Sequence, residues 1–429
     1  MLGFFAVIGV GTALLLSPMA AHEEVSFLEA LFTAVSATTI TGLVVVDTAQ
    51  TWTIFGLAVI LIMIQIGGLG FMSVITVFFF MMHKKIGLSQ RLLVMQTMSL
   101  HDMQGVVKLI KHVLIGTIMF QTVGAIVLFA RFAPSYGIRR AFGLSVFHAV
   151  SAFCNAGFDL MVDNSLTAYF GDRIITIVIA ALVFIGGLGF FVWEDIWRNR
   201  KFRRLHIHSK LVLISSFWLV LVSGLFYFFA ERQNMATFGG MAALDTFLAI
   251  LFQTVMPRSG GLIMVEQGHL RDVSQAFTTL LMLIGGSAGS TAGGIKNVTV
   301  LILALSAISS LRGRTKLFVF GRTIPTTQVL NALSIASLVL MLWICGAIII
   351  AFAQPELPFS AVLFETASAI ATCGLSIGIT AYLTSFSQAV LILLMLFGRL
   401  GIMTLGMAVF FNRNKLEKTK YPDTWVIVG

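Results

Sequence analysis

Two short glycine-containing motifs occur four times along this chain, always in the same order. The first is a phenylalanine followed by small and polar residues and a glycine, and its four glycines are 115, 104 and 113 residues apart. The second motif, a four-residue glycine-rich segment, begins 24–29 residues after each of these glycines. Two motifs that recur in register indicate an architecture of four repeats. The first motif occupies 32–43, 147–158, 252–262 and 364–375, and the second begins at Gly67, Gly186, Gly285 and Gly398.

The composition indicates that these repeats lie in a membrane. Of the 429 residues, 58% are apolar and only 11% are charged, whereas about 25% are charged in an average soluble domain. Several apolar runs exceed the roughly 20 residues that one bilayer crossing needs. The apolar N-terminal segment lacks the basic residues of a secretory signal and is interpreted as the first helix of the first repeat. The clearest apolar runs are 56–82, 173–193, 211–230, 329–353 and 386–411.

Each repeat has the same predicted anatomy: a long apolar helix, a short helix, a glycine loop and a second long helix. A helix of about 12 residues is only ~18 Å long and does not cross a ~30 Å hydrocarbon core, so the short helix is predicted to enter and leave on one side. The predicted fold class is therefore an all-α polytopic membrane protein with eight transmembrane helices and four re-entrant pore loops, in pseudo-fourfold symmetry around a central pore. The short pore helices are predicted at 26–38, 141–153, 241–254 and 359–371.

The boundaries of the four repeats follow from this anatomy. The first long helices are predicted at 3–21, 106–130, 211–230 and 327–352, and the second at 53–81, 173–196, 274–309 and 386–411. The repeats span 1–82, 83–197, 198–311 and 312–429, and the last three each begin with a cytoplasmic connection.

Lysine and arginine cluster in four patches, each of which follows a second long helix. These patches contain 19 of the 28 basic residues, while 13 of the 18 acids lie in the intervening connections. This is the positive-inside pattern, which predicts a multi-pass protein of the cell membrane with the four patches and both termini in the cytoplasm. The patches fit lipid headgroups, and nucleic-acid binding is not needed to explain the formal charge of +10. They are 84–111, 198–210, 312–322 and 413–420.

The four glycine loops are predicted to meet at a common aqueous axis, because non-helical backbone at membrane depth is tolerated only where it is buried or lines a cavity. The short helices would direct their partially negative C-terminal ends at that axis, which favours a cation. The loops contain almost no carboxylate, so backbone carbonyls, assisted by hydroxyls such as that of Thr39, are predicted to replace the hydration shell of potassium. The alternative is ordinary glycine turns between helices. The predicted filter residues are Thr39, Ile40, Thr41, Gly42, Cys154, Asn155, Ala156, Gly157, Ser259, Gly260, Gly261, Ala371, Thr372, Cys373 and Gly374.

Acidic residues just beyond three of the loops have two interpretations. They either concentrate cations at an outer mouth or are ordinary solvated loop acids. His148, in the second pore helix, has no further ligand at metal spacing and is predicted to be a packed, hydrogen-bonded core residue. The three cysteines show neither zinc nor disulfide spacing. The acids are Asp47, Asp159, Asp163 and Glu266.

The stretch 285–294 interrupts the predicted second helix of the third repeat. It holds five glycines in ten residues, and each disfavours a helix by nearly ~1 kcal/mol relative to alanine. The stretch is interpreted as a flexible gate loop beneath the filter. It lacks the Gly-Lys-Ser/Thr ending of a phosphate-binding loop, and the alternative is close small-residue helix packing. The predicted gate residues are Gly285, Gly286, Ser287, Gly289, Ser290, Thr291, Gly293, Gly294, Lys296 and Arg399.

Three basic residues lie inside apolar segments, where a charge is unfavourable unless it faces a cavity or a partner. Arg399 either sets an electrostatic barrier on the cation pathway or pairs with helix-end carbonyls, for example those of the interrupted third repeat. Lys296 poses the same question but lies closer to the cytoplasmic end, where its side chain can snorkel. Arg258 is predicted to tether the third loop by donating to carbonyls.

The sequence resembles the Ktr/Trk/HKT superfamily of potassium transporters, most closely the membrane subunit of bacterial Ktr systems. The resemblance is carried over essentially the whole chain by the four repeats, by residues 39–47, by 289–296 and by 398–401. It implies a potassium filter with one glycine per repeat, the intramembrane gate in the third repeat and the arginine beside it.

The same resemblance implies a homodimer seated on a cytosolic, nucleotide-binding regulatory ring, with potassium as the transported ion and sodium as a modulator. The chain itself has no nucleotide motif, so any nucleotide dependence would belong to that partner. Two departures concern the third repeat: its filter reads Arg258-Ser259-Gly260-Gly261-Leu262 where the family has Arg-Thr-Ala-Gly-Phe, and Ala288 replaces a frequent proline. A serine in place of the first glycine accompanies sodium transport in related proteins, so Gly42 favours potassium.

Two other classes of protein remain alternatives. A secondary carrier would have inverted repeats and a midplane substrate site, but the charge pattern here repeats four times with the same sign. A membrane enzyme would need convergent nucleophiles, bases or metal ligands, and the eight histidines are scattered. The chain is therefore predicted not to be an enzyme.

Overall fold

The computed structural model describes residues 2–70, 106–161, 165–314 and 316–400. Within them, the regular secondary structure is helical apart from one short hairpin. The α-helices are α1 (Leu2–Leu15), α2 (Phe27–Thr39), α3 (Thr48–Thr51), α4 (Ile54–Leu69), α5 (Val106–Cys154), α6 (Arg173–Leu188), α7 (Phe190–Asn199), α8 (Ile207–Glu231), α9 (Ala243–Val255), α10 (Asp272–Leu283), α11 (Asn297–Leu311), α12 (Thr326–Ala353), α13 (Phe359–Ile370) and α14 (Ser385–Leu400). Short 3-10 turns lie at Leu166–Tyr169, Phe202–Arg204, Gln267–His269 and Thr380–Tyr382, and strands β1 (Leu317–Val319) and β2 (Arg322–Ile324) pair antiparallel.

Four short helices lie where the sequence predicts pore helices, and their bounds differ from the predicted ones by at most three residues. The first, α2, begins with a capping box in which Ser26 Oγ accepts from the Glu29 amide and Glu29 Oε2 accepts from the Ser26 amide. The reciprocal pair satisfies two of the amides that a helix start leaves without partners. The second pore helix is the C-terminal part of α5, separated from the long first part by a break at Gly137, whose φ is 72°.

Two long helices end earlier than predicted. The first was expected to run to residue 21, but α1 ends at Leu15. Pro18 follows, and the residue before a proline is disfavoured in helical conformation. The prediction of one continuous helix at 173–196 was also wrong. Gly189 adopts a φ of 94°, and the axes of α6 and α7 are bent by 91° at this point.

Each second long helix packs against the pore helix of the following repeat. Helix α4 contacts α5, α6 contacts α9, and α10 contacts α13. Helix α14, from the last repeat, contacts α2 of the first, so the packing order closes on itself. This closed order brings the C-terminal ends of the four pore helices together.

Length and composition identify three described helices that are long and apolar enough to cross a membrane, namely α5, α8 and α12, and a fourth if the bent pair α6–α7 is one span. Several other described helices are apolar but have only 12–16 residues. The full set of eight crossings therefore stays a prediction. Residues 71–81 and 401–411, the predicted ends of two second helices, lie outside the described residues.

Candidate ion-binding site

The four pore helices end in loops that share a pattern of positive φ angles. In each loop a non-glycine residue adopts a positive φ, and the glycine of the repeat motif, two positions later, does the same. Positive φ is uncommon for non-glycine residues and rarer still for β-branched ones, so its recurrence in four loops marks a shared structural requirement. The pairs, with φ angles, are Ile40 (54°) and Gly42 (89°), Asn155 (57°) and Gly157 (72°), Ser259 (83°) and Gly261 (68°), and Thr372 (47°) and Gly374 (92°).

The four glycines lie against one another in a closed ring. A Cβ atom added to any one of them would meet the backbone of the next loop, in the order first, second, third, fourth and back to first. Only glycine fits such an approach of four backbones. All fifteen predicted filter residues are buried in these loops. The added atoms would contact Ala156 from Gly42, Gly261 from Gly157, Cys373 from Gly261 and Thr41 from Gly374.

A serine six residues before the glycine fixes three of the loops. Ser36 Oγ accepts from the Gly42 amide at 3.0 Å, and Ser368 Oγ accepts from the Gly374 amide at 3.0 Å. Ser151 Oγ donates to the carbonyl of Phe158 at 2.7 Å. The sequence analysis did not single out these serines, although they occupy equivalent positions in three of the four motifs.

The third loop is built differently because its motif is one residue shorter. The carbonyl of Met256 accepts from the Gly260 amide at 2.8 Å and from the Gly261 amide at 3.4 Å. Ser259 Oγ donates to the carbonyl of Thr372 at 2.8 Å, which ties the third loop directly to the fourth. This bond holds a loop that has no serine at the position six residues before its glycine.

Close packing against the pore helices requires glycine in three copies of the second repeat motif. Gly67, Gly186 and Gly398 each lie so close to the C-terminal turn of a pore helix that an added Cβ would collide with a carbonyl there. The three carbonyls are equivalent, each four residues before the filter glycine. They belong to Thr38, Phe153 and Ile370.

In the third repeat the helix is interrupted, as predicted, between Leu283 and Asn297. The intervening segment, predicted as the gate loop, lies directly against the glycine loops. The Gly293 amide donates to Ser259 Oγ at 2.9 Å, and Thr291 Oγ1 donates to the carbonyl of Phe153 at 3.3 Å. The loop also bonds to the second repeat motif, since the Ser287 amide donates to the Gly187 carbonyl at 3.0 Å.

Arg399 joins the gate loop to the first repeat. Its guanidinium donates to the carbonyl of Thr291 at 2.7 Å and also to the carbonyl of Gly67. Of the two interpretations of Arg399, the structure therefore agrees with the second, in which the residue pairs with carbonyls of the interrupted third repeat. Lys296 does not snorkel: its Nζ donates to the carbonyl of Ala292 at 2.6 Å, within the loop.

The three predicted mouth acids that the structure describes have different surroundings. Asp159 is buried and pairs with His148, Oδ1 to Nε2 at 2.8 Å, so both interpretations of Asp159 were wrong. Asp47 accepts from two amides at the start of α3, and Glu266 is exposed. Asp163 lies outside the described residues. His148 is a packed core residue, as predicted, and its Nδ1 donates to the Leu144 carbonyl at 2.7 Å.

Arg258 has a different partner from the one expected. It is buried and donates to the hydroxyl of Ser216 on α8 at 3.4 Å, whereas the sequence predicted a bond to loop carbonyls. The residue still joins the third loop to a neighbouring helix. Among the described residues, no cluster of three or more histidines, cysteines, aspartates or glutamates is arranged to hold a metal ion.

Comparison with known proteins gives the family. The model of the TrkH family, described as cation transport proteins, matches residues 4–419. The chain belongs to the TrkH family. It is 38% identical over 428 residues to the Ktr system potassium uptake protein B of Bacillus subtilis, covering 100% of this chain and 95% of that protein. It is 36% identical to the potassium/sodium uptake protein NtpJ of Enterococcus hirae, covering 100% of this chain and 96% of that protein.

The crystal structure of the potassium transporter TrkH from Vibrio parahaemolyticus shares this fold, with a TM-score of 0.77, 17% identity and coverage of 95% of this chain and 83% of that chain. The family resemblance predicted from the repeat motifs is therefore confirmed. As a TrkH-family protein, the chain is a membrane protein that transports cations and not an enzyme, as the sequence also predicted.

Proposed function

We propose that this TrkH-family protein mediates potassium uptake through a selectivity filter made of the four glycine loops. The relatives named for potassium uptake align over the whole chain. The observation that carries the proposal is the closed ring of Gly42, Gly157, Gly261 and Gly374, each in a left-handed conformation at the C-terminal end of a pore helix. Four helix ends bring partial negative charge to one point, where backbone carbonyls can replace water around a monovalent cation.

A pore accounts for this geometry better than a carrier with inverted repeats. The four loops share one pattern of positive φ angles and one cyclic order of packing. A carrier built from inverted halves places its substrate between two elements of opposite orientation. The repetition of one loop four times supports a central axis normal to the membrane.

The gate loop, 285–294, is proposed to obstruct the pathway on the inner side of the filter, with Arg399 as the latch that holds it. The support is the set of bonds from the loop to Phe153, Ser259 and Gly187 and from Arg399 to Thr291. Each joins the loop to a residue of another element. Movement of the loop away from the filter would therefore require several bonds to break together.

The functional unit is proposed to be a homodimer that docks on a cytosolic, nucleotide-binding regulatory ring. The basis is the likeness to Ktr system proteins B and D of Bacillus subtilis, whose names assign them to a multi-component system. The basic patches 198–210 and 312–322 supply a cationic face for the ring or for anionic lipid, and the proposal assigns both termini to that same cytoplasmic side. Nucleotide control would then reside in the partner.

The proposal is tested by tracer uptake into proteoliposomes. Purified protein is expected to take up rubidium down its gradient, and external potassium should block the uptake at lower concentrations than sodium does. Empty liposomes provide the background. Equal block by potassium and sodium would contradict the potassium assignment, and uptake no faster than the background would contradict the transport function itself. Sodium uptake deserves a separate measurement, because NtpJ is named for both ions.

A further inference from the structure

One position in the pore helices carries a buried polar side chain in every repeat, although no two repeats use the same residue. It is the residue directly after the motif phenylalanine. All four side chains are at most 2% exposed. Polar groups buried to this extent are normally hydrogen-bonded, and their partners reveal what they hold. The four residues are Thr33, His148, Gln253 and Glu365.

In the second repeat, this side chain reaches the chain just beyond the filter. His148 lies 2.8 Å from Asp159, which is the second residue after the filter glycine, and both are buried. Asp159 Oδ1 also accepts from the Met161 amide at 2.7 Å. The pair thus pins the segment that leaves the filter to the pore helix that enters it.

The fourth repeat makes the same connection with a carboxyl group. Glu365 accepts from the hydroxyl of Ser376, which is likewise the second residue after its filter glycine. It also accepts from the Ile377 amide at 3.1 Å and from Thr380 Oγ1 at 2.9 Å. Three bonds therefore converge on one buried side chain behind the fourth loop.

The third repeat uses two amides. Gln253 Nε2 donates to Gln267 Oε1 at 2.9 Å, and Gln267 Nε2 donates back to Gln253 Oε1 at 3.3 Å. Gln267 is the sixth residue after its filter glycine, the position that Thr380 occupies in the fourth repeat. Both Gln253 and Gln267 are buried.

The first repeat lacks this connection. Thr33 Oγ1 has no hydrogen-bond partner among the described residues. The second residue after its filter glycine is Val44, which cannot accept or donate through its side chain. The first loop is therefore the one whose outgoing segment is not bonded to its own pore helix through this position.

We propose that His148, Gln253 and Glu365 are positioning residues that hold the outer half of three filter loops and thereby set ion selectivity. This inference rests on the proposed function, because it assumes that the glycine loops are the filter. A ring of carbonyls distinguishes potassium from sodium through its size and through the number of carbonyls that it presents, and both change when the loops shift. Bonds from the pore helix to the outgoing segment supply that resistance, and they act without touching the ion.

The test compares selectivity among matched variants in the proteoliposome assay. Glu365→Leu removes every bond of this side chain and leaves the partly buried Ile377 amide without that partner, so we expect the ratio of sodium to potassium needed for half block of rubidium uptake to fall by about tenfold. Glu365→Gln retains an acceptor and can donate to Thr380, and should keep the ratio within about twofold of the unmodified protein. Thr33→Val is the matched control from the repeat without this connection and should also stay within about twofold.

A merely structural role would lower the unfolding temperature without changing the ratio, so both are measured on monodisperse protein. Folded Glu365→Leu protein with an unchanged ratio would overturn the inference, as would an equal loss in Thr33→Val. If Glu365→Leu does not fold, the double variant Gln253→Leu/Gln267→Leu decides and should show a similar fall in the ratio, because it removes both amides together and leaves only the Val265 carbonyl without its donor. An unmodified protein without uptake would overturn the proposed function and this inference together, whereas selective uptake in every variant overturns only the inference.

Discussion

At the scale of single residues, the filter loops combine conformational strain with close backbone approach. Ile40 and Thr372 are β-branched yet adopt φ angles of 54° and 47°, a conformation unfavourable by roughly 1–3 kcal/mol for each residue. Such conformations persist only where the surroundings hold them, and the serine bonds to the Gly42 and Gly374 amides do so here. Bonds within each loop and contacts with the adjacent loops hold these conformations. A small change in one loop should therefore alter the conformation of its neighbours.

Gly42→Ser should weaken the preference for potassium over sodium. The added Cβ would collide with the carbonyl of Ala156, and the φ of 89° is unfavourable for serine. The ring must therefore open, and a wider ring discriminates less between ions of different size. We expect the ratio of sodium to potassium at half block to fall by at least about tenfold, which corresponds to ~1.4 kcal/mol.

Gly143→Ser is the control for this substitution. Gly143 has an ordinary φ, and an added Cβ would meet nothing within 4 Å. Its ratio should match that of the unmodified protein. A Gly42→Ser protein that folds and keeps the original ratio would argue against a filter role for the first loop.

Much of this residue-scale structure was predictable, since the filter glycines and their loops follow from one motif repeated four times. The pairing of His148 with Asp159 was not. Eleven residues separate them, a spacing that places two side chains together neither on one helix nor on one strand. The partner of Arg258 was not predicted for a similar reason, because Ser216 lies on another helix and precedes Arg258 by 42 residues.

At the scale of elements, the gate loop is held mainly by bonds to other parts of the chain. Its ends meet in a single bridge between Ile284 and Ile295. Its middle bonds to Ser259 of the third filter loop, to the last turn of the second pore helix at Phe153 and to the second repeat motif. A segment held this way has a position that depends on its neighbours, which suits an element that must move.

Deletion of 286–293 should raise the rate of rubidium uptake at least about tenfold, because the bonds that hold an obstructing loop disappear with it. The uptake rate per protein is measured at equal reconstitution. Monodisperse elution of the shortened protein establishes that it is folded. Unchanged or slower uptake by such a protein would remove the gate proposal.

Arg399→Ala should also raise uptake, by about tenfold, since a charged donor to carbonyls contributes ~1.5–3 kcal/mol to the arrangement it holds. Arg399→Lys retains the charge with a single ammonium group and should give an intermediate rate. Arg139→Ala, at an exposed position on α5, is the control. If charge repulsion alone limited the flux, the lysine variant would behave like the original protein, and the latch would be contradicted.

The bend after α6 was missed at this scale. Residues 173–196 are nearly all apolar and read as one membrane helix, whereas the chain turns by 91° at Gly189. The cause is tertiary: the Phe190 amide donates to the Gly289 carbonyl of the gate loop. A sequence pattern does not reveal a bond between residues 99 positions apart.

At the scale of the whole molecule, the sequence predicted the four repeats, and the closed order of packing between α4, α6, α10, α14 and the pore helices agrees with them. The crossings themselves are harder to count. Only three described helices, or four with the bent pair, have the length of a full span. Breaks at Gly189 and at the glycine-rich stretch 285–294 divide two of the predicted second helices, and hydropathy alone does not show where such breaks fall.

Docking of a regulatory ring should make uptake depend on nucleotide. The chain reconstituted alone is expected to respond equally with and without ATP, and addition of a purified Ktr-type regulatory protein should confer a response. Reversing the charge of Arg203 and Arg204, both exposed on the patch 198–210, should weaken that response with little change in the basal rate. A nucleotide response from the chain alone would contradict the assignment of nucleotide control to the partner.

The hydroxyl of Ser259 belongs to two structures at once. It donates to the Thr372 carbonyl of the fourth loop and accepts from the Gly293 amide of the gate loop. Whatever shifts one of these partners alters the energy of the other, and such coupling is reciprocal. An ion that binds one conformation of the fourth loop more tightly than another would therefore bias the position of the gate. The transported ion would then act as an allosteric effector of its own transport.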